Sequence, residues 1–105
     1  MKIITWNVNG LRAALGKQAL DWVWEREPDV LCLQEIKARP EQLTEEQRTF
    51  PVHEVIWNPA ERAGYSGVAT FLRSPALEKQ IGMDAPHFDV EGRVIQTVHQ
   101  GFRLF

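Results

Sequence analysis

The chain has 105 residues, 44% hydrophobic and 25% charged, which excludes a disordered, collagen-like or repeat-built protein and sets one domain as the ceiling. Its 12 Lys plus Arg against 14 Asp plus Glu give a formal charge of -2, which excludes a histone-like polycation and leaves room for local basic sites. No apolar stretch has the length of a signal peptide or a membrane span, and the single cysteine, Cys32, cannot close an internal disulfide, so a reducing cytosolic compartment without membrane association is expected.

Residues 2–6 are β-branched and aromatic and stop at Asn7-Val8-Asn9-Gly10, which reads as a strand ending in a turn. Leu11, Leu15, Ala19, Leu20 and Val23 then recur at helical spacing, with Gly16 able to split the helix and Pro28 closing it. The unbroken apolar run 30–33 reads as a strand buried on both faces, with Cys32 in the core. Strand, helix and strand make a crossover unit, whose two strands run parallel and end at one edge. Asn7 lies at the first carboxyl end and Glu35 at the second, so residues distant in sequence face one crevice.

Residues 40–48 predict short surface turns with only Leu43 buried. Beyond them, 53–57, 68–73, 77–81, 94–99 and 102–105 have β-type composition divided by Pro and Gly, which predicts an antiparallel second half. Residues 84–91 form a mild acidic cluster, His53, His87 and His99 lack ligand spacing, and Trp6, Trp22, Trp24 and Trp57 fall where packing is expected. The chain stops inside an apolar run at Arg103-Leu104-Phe105, and a truncated domain is the expectation.

Four blocks then stand in order: Trp6-Asn7-Val8-Asn9-Gly10-Leu11-Arg12-Ala13, Leu33-Gln34-Glu35-Ile36-Lys37, Gly64-Tyr65-Ser66-Gly67-Val68 and Glu91-Gly92-Arg93-Val94-Ile95. Together they resemble the amino-terminal part of the exonuclease III family of abasic-site endonucleases, within the endonuclease/exonuclease/phosphatase superfamily, over nearly the whole chain. The resemblance implies a four-layer α/β sandwich of two packed mixed sheets flanked by helices, here as its amino-terminal half spanning residues 1–105. It further implies metal-dependent hydrolysis of a DNA phosphodiester 5′ to an abasic site, with 3′-exonuclease trimming, in base excision repair. Magnesium is the implied cofactor, with manganese as a substitute. The implied partner is double-stranded DNA containing abasic sites, and the implied state is a full-length monomer, cytoplasmic and nucleoid-associated, or nuclear in a eukaryote. The family's later motifs, among them an Asp-x-Asn and a closing Asp-His pair, do not occur in these residues, so the chain alone is expected to be nearly inactive.

Carried over residue by residue, the resemblance makes Asn7 and Glu35 the catalytic and metal-site residues. A hard divalent cation favours carboxylate oxygen and keeps positions for water and phosphate, which suits Glu35. Asn7 offers an amide oxygen and two N–H donors without charge. A solvated strand-end Glu and a turn Asn are the duller alternatives. Asn9 stands where some relatives carry an Asp, so a second metal-site position and a helix cap both stay open.

Arg12, Ala13 and Lys17 near the start of the first helix, together with Lys37, Arg62, Tyr65 and Arg93, are the implied DNA contacts. Solvated basic residues, a Tyr65 packed on the sheet edge and an ion-paired Arg93 are their alternatives. Two other functions remain: a noncatalytic DNA-contacting fragment or half-domain, and a superfamily phosphoesterase acting on non-DNA substrates. The Gly64 and Glu91 blocks weigh against the second.

Overall fold

Alternating side chains start the fold, as the computed structural model of residues 1–105 shows in β1 (Ile3–Asn7), where Ile4 and Trp6 turn inward and Ile3, Thr5 and Asn7 stay exposed. The helical stretch is split where Gly16 predicts: α1 (Leu11–Gly16) buries Leu11 and Ala14, and α2 (Asp21–Glu25) buries Val23. β2 (Val30–Gln34) runs parallel to β1, pairing Ile3 with Val30 and Asn7 with Gln34. A single 3-10 turn follows at Pro40–Gln42, and nearby Leu43 is buried.

β3 (Glu54–Asn58) and β4 (Val68–Leu72) are antiparallel, and β4 lies between β2 and β3 to give the order β1-β2-β4-β3. β5 (Glu78–Ile81), β6 (Ile95–His99) and β7 (Phe102–Leu104) form a separate antiparallel sheet in chain order. A short α3 (Pro86–Asp89) lies in the stretch read from sequence only as an acidic cluster. Pro86 sits in its first turn, and the Asp89 carboxylate accepts the Met83 and Ala85 N–H groups, closing it into a compact turn.

The chain thus makes an α/β fold in layers. On one face of the four-stranded sheet, Leu11, Leu20 and Val23 from the helical segment pack against Leu31, Leu33, Ala69 and Phe71. Phe71 anchors an aromatic cluster there, with Phe50 edge-on at 4.9 Å and Trp24 and Trp57 alongside. On the other face Val30, Ile56 and Leu72 meet Ile95 of the second sheet. Burial from both sides explains the unbroken apolar run of β2.

Cys32 departs from its expected place in the deep core. It is only partly buried, lines a gap between the two sheets, and its thiol pKa is pushed up by burial. Trp22 is exposed, packing edge-on against Trp6 at 5.6 Å, with the Arg26 guanidinium over its ring, 5.6 Å from the centroid. No helix is long and apolar enough to cross a membrane.

Candidate functional site

Topology brings three loops to one edge of the four-stranded sheet. The parallel pairing of β1 and β2 puts their carboxyl ends together, and the antiparallel β4 delivers its amino end, Val68, opposite Gln34. Backbone hydrogen bonds then tie the loops to one another: Gly10 N–H to the Glu35 carbonyl at 2.8 Å, Leu11 N–H to Ile36 at 2.8 Å, Ile36 N–H to Gly67 at 3.1 Å and Lys37 N–H to Ser66 at 2.8 Å.

The backbone here is held in an unusual conformation. Of seven non-glycine residues with positive φ, four belong to these loops: Asn9 (48°), Glu35 (52°), Lys37 (53°) and Ser66 (45°). Each left-handed residue costs on the order of 1 kcal/mol, which the interloop bonds offset. Ile36, fully buried between Glu35 and Lys37, pins the bend and leaves both charged neighbours at the surface. A Cβ on Gly67, whose φ is +88°, would come within 2.9 Å of Ile36 Cγ1, so glycine is what lets the loop close.

Four side chains make a ring on this frame. Asn7 Nδ2 donates to Glu35 Oε2, while Asn7 Oδ1 accepts the Asn9 N–H at 3.0 Å. Lys37 Nζ donates to Asn9 Oδ1 at 2.6 Å and lies 3.6 Å from Glu35 Oε1. The Asn7 bond, helped by the Lys37 and Arg93 charges and opposed by partial desolvation, holds the Glu35 carboxyl below the usual carboxylate range. Glu35 is therefore anionic at neutral pH.

A second cluster lies on the adjoining loops. Arg93 Nε donates to Glu91 Oε2 at 2.5 Å, Arg93 also reaches the Tyr65 hydroxyl at 3.4 Å, and the Arg62 guanidinium stands 5.5 Å from the Tyr65 ring centroid. The ion pair raises the Arg93 pKa above that of an ordinary guanidinium. Between Glu91 and Arg93, Gly92 has φ +60°, and a Cβ there would sit 2.4 Å from the Asn58 carbonyl oxygen. That close backbone approach, with Asn58 Nδ2 donating to the Val94 carbonyl at 2.8 Å, fixes the second cluster to the end of β3.

Asn7, Glu35 and Lys37 are brought together, as are Arg62, Tyr65 and Arg93. Arg12 and Ala13 are exposed in the first turn of α1, after the Asn9-Gly10 bend. Lys17 is placed differently from the sequence reading: α1 stops at Gly16, so Lys17 caps the carboxyl end of this helix and lies outside the reach of its amino-terminal N–H groups. Asn9 makes no side-chain cap to α1; its amide oxygen accepts Lys37 instead. Glu91 escaped the sequence reading as a site residue, although its spacing across a glycine bend from Arg93 was the available signal.

The donor set restricts the chemistry. No three His, Cys, Asp or Glu residues gather within these 105 residues, so the strand tips offer Glu35 as a single carboxylate rather than a ligand cluster. One ionised carboxylate with an open side fits a hard cation that keeps most of its water.

Residues 4–105 match the endonuclease/exonuclease/phosphatase family. The DNA repair nuclease APEX1 of Danio rerio is 40% identical over 106 residues, covering 99% of this chain and 34% of that protein. An exodeoxyribonuclease of Bacillus subtilis is 41% identical over 96 residues, covering 90% of this chain and 37% of that protein. Among solved structures, the 3′ phosphatase NExo from Neisseria, bound to a product DNA hairpin, superposes with a TM-score of 0.69 at 33% identity, over 98% of this chain and 39% of that one. The chain spans about a third of the length of the curated relatives it matches. With all the site-bearing loops inside the matched span, the chain belongs to the endonuclease/exonuclease/phosphatase family.

Proposed function

We propose that this chain supplies the cation-binding and backbone-holding part of a nuclease that hydrolyses a DNA phosphodiester at abasic sites, with magnesium as its cofactor. One observation carries the reading: an ionised Glu35, fixed by Asn7, stands at an edge where three loops converge and where Lys37 and Arg93 supply positive charge. A phosphodiester is drawn to those cations, and Glu35 offers the anionic oxygen that a hard divalent cation would take as a ligand. When bound, magnesium supplies Lewis-acid stabilisation of the charge growing on the phosphoryl oxygens.

The residues of the chain divide this work. Glu35 would hold the cation through a carboxylate oxygen. Asn7, with its nitrogen on Glu35 and its oxygen engaged by the Asn9 N–H, orients that carboxylate and keeps it ionised. Arg62, Tyr65 and Arg93 make a basic and aromatic patch that suits a sugar-phosphate backbone, with Arg12 and Ala13 on the neighbouring turn and Lys17 and Lys37 as further positive charges. The names of the relatives, a DNA repair nuclease and an exodeoxyribonuclease, support DNA as the substrate, as does the DNA-bound structure.

The test joins residues 1–105 to the remaining two-thirds of the Bacillus subtilis relative and measures magnesium-dependent incision of an abasic duplex. Incision is expected, and Glu35→Gln is expected to lower it by about 100-fold or more. A folded hybrid that cleaves small phosphoesters and leaves abasic DNA intact, or one indifferent to Glu35→Gln, overturns the reading.

A further inference from the structure

The ring at the strand tips holds a tension that its geometry makes visible. Lys37 and Glu35 are two residues apart, both left-handed and both at the surface, and their opposite charges attract. Yet the Lys37 ammonium stands at 3.6 Å from Glu35 Oε1, beyond a hydrogen bond, while it donates at 2.6 Å to Asn9 Oδ1. The acceptor that holds it there is uncharged. Asn9 also contributes its backbone N–H to Asn7 Oδ1, which turns the Asn7 nitrogen toward the other carboxylate oxygen. Both oxygens of Glu35 thus owe their surroundings to Asn9.

We propose that Asn9 is a positioning residue that parks the Lys37 ammonium beside the Glu35 carboxylate rather than on it, leaving Oε1 open to a divalent cation. Without the Asn9 amide, Lys37 tightens its 3.6 Å ion pair with Glu35 into a direct hydrogen-bonded one, and an incoming cation must displace it. The tethered ammonium meanwhile remains within reach of a phosphate approaching the same cation. The inference rests on the reading of Glu35 as the cation-binding carboxylate.

The test is a double-mutant cycle on Mn²⁺ binding by the 105-residue chain, read from the electron paramagnetic resonance signal of free Mn²⁺. Asn9→Gly removes the amide while accepting the positive φ of 48°, so it perturbs the backbone least; Asn9→Ala is run in parallel. Asn9→Gly is expected to weaken Mn²⁺ binding about threefold to fivefold, the scale of competition from a partly exposed ion pair. Lys37→Ala is expected to strengthen binding, and adding Asn9→Gly to Lys37→Ala is expected to change nothing further. A merely structural role for Asn9 would weaken binding equally in both backgrounds. Equal losses in both backgrounds, or no loss in either, overturn the proposal while leaving Glu35 as the cation site, provided Glu35→Gln abolishes binding. Mn²⁺ binding unchanged by Glu35→Gln sinks both the proposal and the reading beneath it.

Discussion

Glu35 illustrates how a single position acquires chemistry from neighbours that are remote in sequence. As a residue two places before a lysine at the end of an apolar run it reads as an ordinary solvated glutamate. In the fold it receives the Asn7 amide from another strand and the positive charges of Lys37 and Arg93. A carboxyl whose pKa is lowered by folding contributes stability above the ordinary glutamate range, and that contribution is lost as pH falls through the folded value. Since the Asn7 bond is the largest cause, Asn7→Ala is expected to move the Glu35 pKa upward toward the ordinary value. A carbon-13 carboxyl titration by NMR checks this; a Glu35 curve unmoved by Asn7→Ala would assign the shift to the cations instead. Lys37 shows the limit of sequence reading, because its partner depends on Asn9 adopting a left-handed conformation that no local pattern specifies.

Among the elements, the parallel pair β1 and β2 was the most legible part. Their apolar runs are long enough to identify, the intervening helical spacing forces a crossover, and parallel pairing then sets Asn7 and Glu35 at one edge without any knowledge of side-chain contacts. The five later strands were legible from composition, with no end shifted by more than one residue. Other features were hidden because tertiary contacts decide them. α3 forms around Asp89 accepting two backbone N–H groups, and α1 ends early enough to carry Lys17 to its far end. Cys32 is left half-covered by the spacing of the two sheets.

The glycines of the two outer loops make a paired test at this scale. Gly64 and Gly92 have similar φ values of +68° and +60°, but a Cβ on Gly64 meets nothing within 4 Å, while one on Gly92 meets three backbone atoms within 2.7 Å. Gly64→Ala is expected to cost about 1 kcal/mol, from conformation alone. Gly92→Ala is expected to cost about 3 kcal/mol or more and to loosen the Glu91–Arg93 pair, as urea unfolding would record. Equal losses would mean that the close approach at Asn58 is not what fixes this loop.

At the scale of the whole molecule, two hydrophobic clusters on opposite faces of one sheet hold three loops in register at its edge, and the site is the product of that register. The core supplies rigidity, while the interloop hydrogen bonds retain a strained backbone that presents one carboxylate, one amide and several cations together. The family blocks in the sequence identify most of these groups, whereas their mutual distances depend on packing between segments as far apart as residues 7 and 93. The most direct test of this arrangement is the pattern of amide NMR signals broadened by substoichiometric Mn²⁺. Broadening centred on residues 7–9, 35–37 and 65–67 that disappears in Glu35→Gln is the predicted result. Broadening centred on the acidic stretch 84–91, or persisting undiminished in Glu35→Gln, would contradict a cation site at the tips of β1 and β2.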